Sequence, residues 1–308
     1  MQRLQMQAPK ENYMKKFFLI AALALVGALT MSAPSHAQAA KFRLCTGNSE
    51  LNYAKAGHYL KQRAQNVDVV YTKGSIDNLD KIVAGECDGG FVQSDALMVY
   101  SSRNAKAIST LERAGVLYQE QVHMICNRKY DLGRMVNLKK DMTIAVGVDG
   151  SGGNTTWAAF VMADKDRYGK VSTSPLSGDR MLSAVADGSL VQCGLIVTAL
   201  NAPFIKNEVQ KAGDTVILVG TDDRDMTKTA KDARGQAVYT YGEIPADTYP
   251  RIQPSGTVYG TKSVGTVQVD AVFVANVDWI NAHEDDYNKI LRGFNAAKPD
   301  IQKLAKPQ

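Results

Sequence analysis

From Phe42 onward, short apolar runs alternate with stretches in which apolar residues recur every three or four positions. Phe42–Cys45 is short and mostly apolar, the pattern of a strand. Tyr53, Ala56, Leu60 and Ala64 then fall on one face, which predicts a helix over 52–64. The β-branched run 67–72 predicts a second strand, and 76–83 a helix closed by Gly85. Residues 89–92 read as a buried strand, with a helix from about Asp95. The grammar restarts further along: strands over 143–148, 171–175, 191–197 and 215–220, and helices over 154–162, 179–186 and 202–212. Short apolar runs set between periodic helices are the signature of βαβ units and an α/β fold.

Two further extended runs, 121–127 and 267–275, do not fit within either series. Read as crossovers, they return the chain to its first half, where Trp279–Leu304 supplies the C-terminal helices. That predicts two lobes: domain 1 from 41–128 plus 264–308, and domain 2 from 129–263. A length of 308 residues agrees, because it exceeds the usual size of one hydrophobic core. Two connections make a hinge, and a hinge between lobes makes a cleft that can close.

The N-terminus has a different pattern. Lys15 and Lys16 precede an apolar run, Phe17–Met31, and small residues follow at Ser35-His36-Ala37 and Ala37-Gln38-Ala39. This order predicts a cleaved secretory signal over 1–37, with Met14 the natural start. The run is shorter than the ~20 residues a membrane helix needs. Cleavage after Ala37 turns 36 basic and 31 acidic residues into 32 and 30, so the net charge falls from +5 to +2. A near-neutral surface offers no electrostatic case for nucleic acid. The expected product is an exported, periplasmic protein. Export permits disulfides among Cys45, Cys87, Cys126 and Cys193, with three full pairings or free buried thiols all open. The scattered histidines show no ligand spacing, so no metal or other cofactor is expected.

Candidate chemistry lies where each strand ends, because ligands of open α/β sheets sit outside the carboxyl ends of the strands. Thr46-Gly47-Asn48-Ser49-Glu50 follows the first strand, and Lys73-Gly74-Ser75 the second. Gln93-Ser94-Asp95 follows the third. Asp149-Gly150-Ser151-Gly152-Gly153-Asn154-Thr155 follows the first strand of the second half. Free amides at a helix start carry partial positive charge and suit an anion; simple helix capping would select the same residue types. Lys73 is the one cation among these turns. Glu50 reads as a solvated loop acid or a partner for an ammonium group, and Tyr53 as a pocket wall or a buried helix face. The expected ligand set is Thr46, Asn48, Ser49, Tyr53, Lys73, Gly74, Ser75, Gln93, Ser94, Ser151, Gly152, Asn154 and Thr155. Enzyme signatures are missing: there is no HExxH, and Ser151 fails the GxSxG elbow because Asp149 stands where glycine is required.

Several of these stretches resemble a known family. Thr46-Gly47 with Tyr53, Gly74-Ser75 with Asn78, Ala84-Gly85-Glu86 with Val92-Gln93-Ser94-Asp95, Gly150-Ser151-Gly152 and Ile244-Pro245-Ala246-Asp247-Thr248-Tyr249-Pro250 are similar to the TAXI-group solute receptors of TRAP-type transporters. The resemblance implies a type II periplasmic-binding-protein architecture, each lobe an open sheet flanked by helices, with two crossover segments. It also implies capture of a small, anionic organic solute, a carboxylate or an amino acid, and docking on the membrane permease of a tripartite transporter. An exported hydrolase using Ser151, and a sensing receptor without a transport role, are the competing readings.

Overall fold

The computed structural model describes residues 40–200 and 202–306. The expected signal segment lies outside them. Strands β1 (Phe42–Gly47), β2 (Val67–Tyr71) and β3 (Gly89–Gln93) alternate with helices α1 (Asn52–Arg63), α2 (Ser75–Val83) and α3 (Ser94–Arg103). A short α4 (Ala105–Ile108) leads into β4 (Leu111–Asn127). The second series holds β5 (Thr143–Ala145), α5 (Gly152–Ala163), α6 (Lys165–Tyr168), β6 (Ser172–Ser174), α7 (Gly178–Asp187), β7 (Cys193–Thr198), β8 (Val216–Val219), α8 (Met226–Thr229) and β9 (Tyr239–Ile244). The chain closes with β10 (Val264–Asn276), α9 (Val277–Ala282) and α10 (Glu284–Lys303).

The strand order is β2-β1-β3-β10-β4-β7-β5-β6, with β8 added to β4 and β9 to β10. The βαβ units pair in parallel, β1 with β2 and β3, and β5 with β6 and β7. The two expected crossovers are the long strands. The C-terminal part of β10 pairs with β3, while its first residues, Val264–Val269, pair with β9. Gln121–Cys126 of β4 pairs with β7. Along its other edge β10 pairs with β4, from Leu111↔Asn276 to Gln121↔Gln268. The lobes therefore share a ladder through their connections, because both connections are themselves extended and lie side by side.

Alternation along the strands sorts the core. In the first lobe Phe42, Leu44, Phe91 and Phe273 face α1 and α10, among Leu60, Ile290 and Phe294. Cys45, Val92, Val272 and Val274 face the other way, onto Leu79, Ile82, Ala96 and Tyr100 of α2 and α3. Successive strand residues point to opposite faces, so a sheet covered by helices on both sides needs apolar residues at every position. The second lobe repeats this layering: Met124, Ile144 and Leu195 pack on Trp157 and Phe160 of α5, while Ile125, Ala145 and Leu218 pack on Met181 and Val185 of α7. Met98 and Val99 of α3 join the α5 core, so the lobes also meet helix to helix. The cysteines pair as Cys45–Cys87 and Cys126–Cys193, each inside one lobe. Among the described residues no helix is long and apolar enough to cross a membrane.

Candidate functional site

The turns after β2 and β5 come together. A Cβ placed on Gly74 would lie 3.4 Å from the Gly150 carbonyl oxygen, and one on Gly150 would lie 3.4 Å from Ile76 Cβ. Gly74 has φ +138°, a conformation that side chains rarely adopt. Gly152 abuts the Gln93 side chain, whose amide oxygen would stand 3.0 Å from an added Cβ. The α2 start, the α5 start and the end of β3 therefore converge at one place between the lobes. The first main-chain bonds of these helices are Asn78 N–H to the Gly74 carbonyl and Thr155 N–H to the Ser151 carbonyl. The amides of Ser75, Ile76 and Asp77, and those of Gly152, Gly153 and Asn154, thus precede the helical ladder and have no acceptor within it.

The expected ligand residues divide on this geometry. Ser75 is buried, and its hydroxyl accepts the Gln93 N–H at 3.0 Å. Ser94 is buried and donates to the Val238 carbonyl at 3.3 Å. Thr155 is buried with its Oγ1 unpartnered. Asn154 accepts the Gly150 N–H, and Ser151 donates to the Val146 carbonyl at 3.4 Å. Thr46 is buried at the end of β1 and donates to the Val70 carbonyl. Asn48, Ser49 and Glu50 are exposed. Lys73 is exposed too, and its amide, not its ammonium, is engaged, donating to Asp77 at 2.9 Å.

Beside Gln93 lies a polar cluster that joins the expected Gln93 and Tyr53 to two residues not expected from the sequence, Glu120 and Tyr118. Glu120 on β4 is buried, and Gln93 Nε2 donates to its Oε2 at 2.8 Å. The Tyr53 hydroxyl approaches the same oxygen at 3.5 Å. Tyr53 stands edge-on to Phe91 at 6.2 Å and tilted against Tyr118 at 6.4 Å. Because Nε2 of Gln93 serves Glu120, its Oε1 is left buried and unpartnered, as is the Tyr118 hydroxyl. Burial pushes the Glu120 carboxyl up to about 7, despite the Gln93 donor, and the Asp95 charge adds to the rise. Burial, then Glu120, holds the Tyr53 and Tyr118 phenols well above their ordinary value.

A second buried acid ties the lobes. Asp95, in the first turn of α3, accepts from Thr156 of α5 at 2.5 Å and from Tyr239 of β9 at 2.8 Å. Burial raises its carboxyl while both hydroxyl donors oppose the rise.

Among the described residues no histidine hydrogen-bonds to Ser151. His58 meets Tyr71 near the surface, and His283 sits between α9 and α10. His123 is buried between the Gln121 carbonyl and Tyr249, and burial lowers it to about 4. Among the described residues no group of His, Cys, Asp and Glu has the arrangement of a metal site.

The chain is similar to solved structures. One from Bordetella bronchiseptica RB50 aligns with TM-score 0.51 at 13% identity, over 87% of this chain and 76% of that one. The ligand-binding component of an ABC-type import system from Staphylococcus aureus gives 0.49 at 12% identity, over 87% and 80%. The alkanesulfonate-binding protein SsuA from Xanthomonas axonopodis pv. citri, bound to MOPS, gives 0.48 at 13%, over 85% and 74%. No curated protein matches the chain by sequence. Two α/β lobes joined by two long crossover strands define the type II periplasmic-binding-protein architecture. The profile of the NMT1-like family matches residues 53–282, and the chain belongs to that family.

Proposed function

We propose that the chain is an exported solute receptor that captures a small organic molecule between its lobes and delivers it to a membrane permease. The observation that carries this reading is the convergence of the α2 and α5 starts, Gly74 against Gly150, beside the unpartnered Gln93 and Thr155 oxygens. The first-turn amides of two facing helices favour an anionic group of the solute, such as a carboxylate. With Lys73 at the surface, that neutralisation falls on the amides. The contacting set is drawn from Tyr53, Gly74, Ser75, Gln93, Ser151, Gly152, Asn154 and Thr155, with Thr46, Asn48, Ser49, Lys73 and Ser94 around it. Lobes of 41–128 plus 264–308 and of 129–263, with the β4 end Gln121–Cys126 laid onto the sheet of the second, close when the solute bridges them, its higher affinity for the closed state shifting the equilibrium. The partner is the permease of a TRAP-type transporter, on the strength of the VQSD and IPADTYP stretches. Binding rather than catalysis is favoured because Ser151 donates to a carbonyl and, among the described residues, hydrogen-bonds to no histidine.

Native mass spectrometry of the purified chain tests the reading. The expected result is a co-purified small molecule whose retention weakens, without any accompanying turnover, in Ser151→Ala. Hydrolysis of a captured ester or amide that Ser151→Ala abolishes would establish the enzyme instead.

A further inference from the structure

Glu120 is a buried carboxylate with no cation against it: among the described residues no Lys, Arg or His forms an ion pair with it. Its Oε2 is engaged by Gln93 and approached by Tyr53, while no hydrogen bond to its Oε1 is made among the described residues. A buried charge without a partner is costly, and proteins hold one chiefly where a ligand or a proton completes it. The surroundings are acceptors and aromatic faces. Gln93 Oε1 and the Tyr118 hydroxyl are buried and unpartnered. Tyr53 approaches the acid, and its ring stands edge-on to Phe91 and tilted against Tyr118, whose phenol feels the Glu120 charge. Electron-rich ring faces beside a carboxylate attract organic cations. Gln93 links this cluster to the α5 start, where it rests on Gly152.

We propose that this cluster receives a protonated nitrogen of the solute, an ammonium or amidinium, which pairs with Glu120 and donates to Gln93 Oε1 and the Tyr118 hydroxyl. The inference rests on the receptor reading and deepens it. With an anionic group at the two helix starts and a nitrogen cation at Glu120, the solute is a small zwitterion or a polar amine, and a nitrogen-free carboxylate fills only half the site. The titratable groups facing Glu120 are Tyr53, Tyr118 and Asp95. The phenols stay protonated near neutrality, because burial and Glu120 hold them up. Without solute Glu120 titrates at about 7. Seating a cation expels its proton, so affinity is level above pH 7 and weakens by about tenfold for each pH unit below it.

The test is equilibrium dialysis of the purified chain against an equimolar mixture of putrescine, arginine, γ-aminobutyrate, succinate and 2-oxoglutarate. A second dialysis uses a whole-cell small-molecule extract, and retained solute is identified by mass. The expected result is retention of a nitrogen-bearing cation or zwitterion, at least about tenfold weaker on Glu120→Gln, since the charge pair is lost. Retention of a nitrogen-free carboxylate alone, or equal binding of the nitrogenous solute by Glu120→Gln, overturns the inference and leaves the receptor standing. Retention of nothing from either source overturns both. If Glu120→Gln does not fold, the wild-type pH series decides: a pH-independent affinity for the retained solute overturns the inference.

Discussion

Two buried titratable groups, Glu120 and His123, lie three residues apart on β4 and shape the pH response in opposite senses. Burial raises the Glu120 carboxyl from 4.5 to about 7. An acid raised by folding contributes stability below its unfolded value and loses it as pH climbs through the folded one. The loss between pH 4.5 and 7 amounts to about 3 kcal/mol. His123 is lowered from 6.5 to about 4, so its contribution is present above pH 6.5 and fades as pH falls toward 4. Across the shared window the two nearly cancel, and the wild-type profile hides both. Glu120→Gln removes one side. Relative to wild type, the ligand-free variant is expected to gain about 3 kcal/mol between pH 4.5 and pH 7.5, read as the difference of urea unfolding free energies. A difference that does not change with pH would show that Glu120 is solvated rather than enclosed.

At the scale of elements, the α3–α5 contact carries the tie between lobes. Thr156 and Tyr239 reach across to Asp95, and Met98 packs with Trp157 and Phe160. Thr156→Val keeps the shape and deletes one donor to a buried carboxylate, which costs about 2 kcal/mol. The urea midpoint should fall accordingly, and a midpoint unchanged from wild type would mean that Asp95 finds another donor. Most of these elements are readable from periodicity, because each of β1 to β3 and α1 to α3 carries its own apolar pattern. The helix expected over 202–212 is a π turn, Phe204–Glu208, followed by a 3-10 turn, Val209–Ala212. Apolar periodicity places its buried face at Ile205 and Val209 but does not specify its hydrogen-bond register. The start of β4 was hidden for a related reason. Leu111–Glu120 mixes exposed Glu112, Arg113 and Gln119 with buried Leu117, Tyr118 and Glu120, so the strand emerges only where Gln121–Asn127 becomes continuously buried. That is why Ser75, Gln93 and Thr155 were legible as candidate residues at the strand ends and Glu120 was not. Loop residues after a strand announce themselves by type, whereas an acid inside a strand looks like an ordinary solvent-facing position until its neighbours are placed.

Across the whole molecule, β4 and β10 do two jobs. They pair with each other over Leu111–Gln121 and Gln268–Asn276, and their far ends belong to different lobes. Any closing motion between the lobes must bend this shared ladder and slide α3 against α5. Both disulfides lie within a lobe, Cys45–Cys87 in one and Cys126–Cys193 in the other, so neither locks the lobes together. The junction of Gly74, Gln93, Gly150 and Gly152 lies where such a motion opens or shuts. The central claim is that a solute is clamped there and shifts the lobes toward the closed arrangement. Small-angle scattering of the same sample, stripped of solute and then saturated with the retained one, tests it most directly. The account predicts a smaller radius of gyration on saturation; tight binding that leaves the radius of gyration unchanged would contradict it.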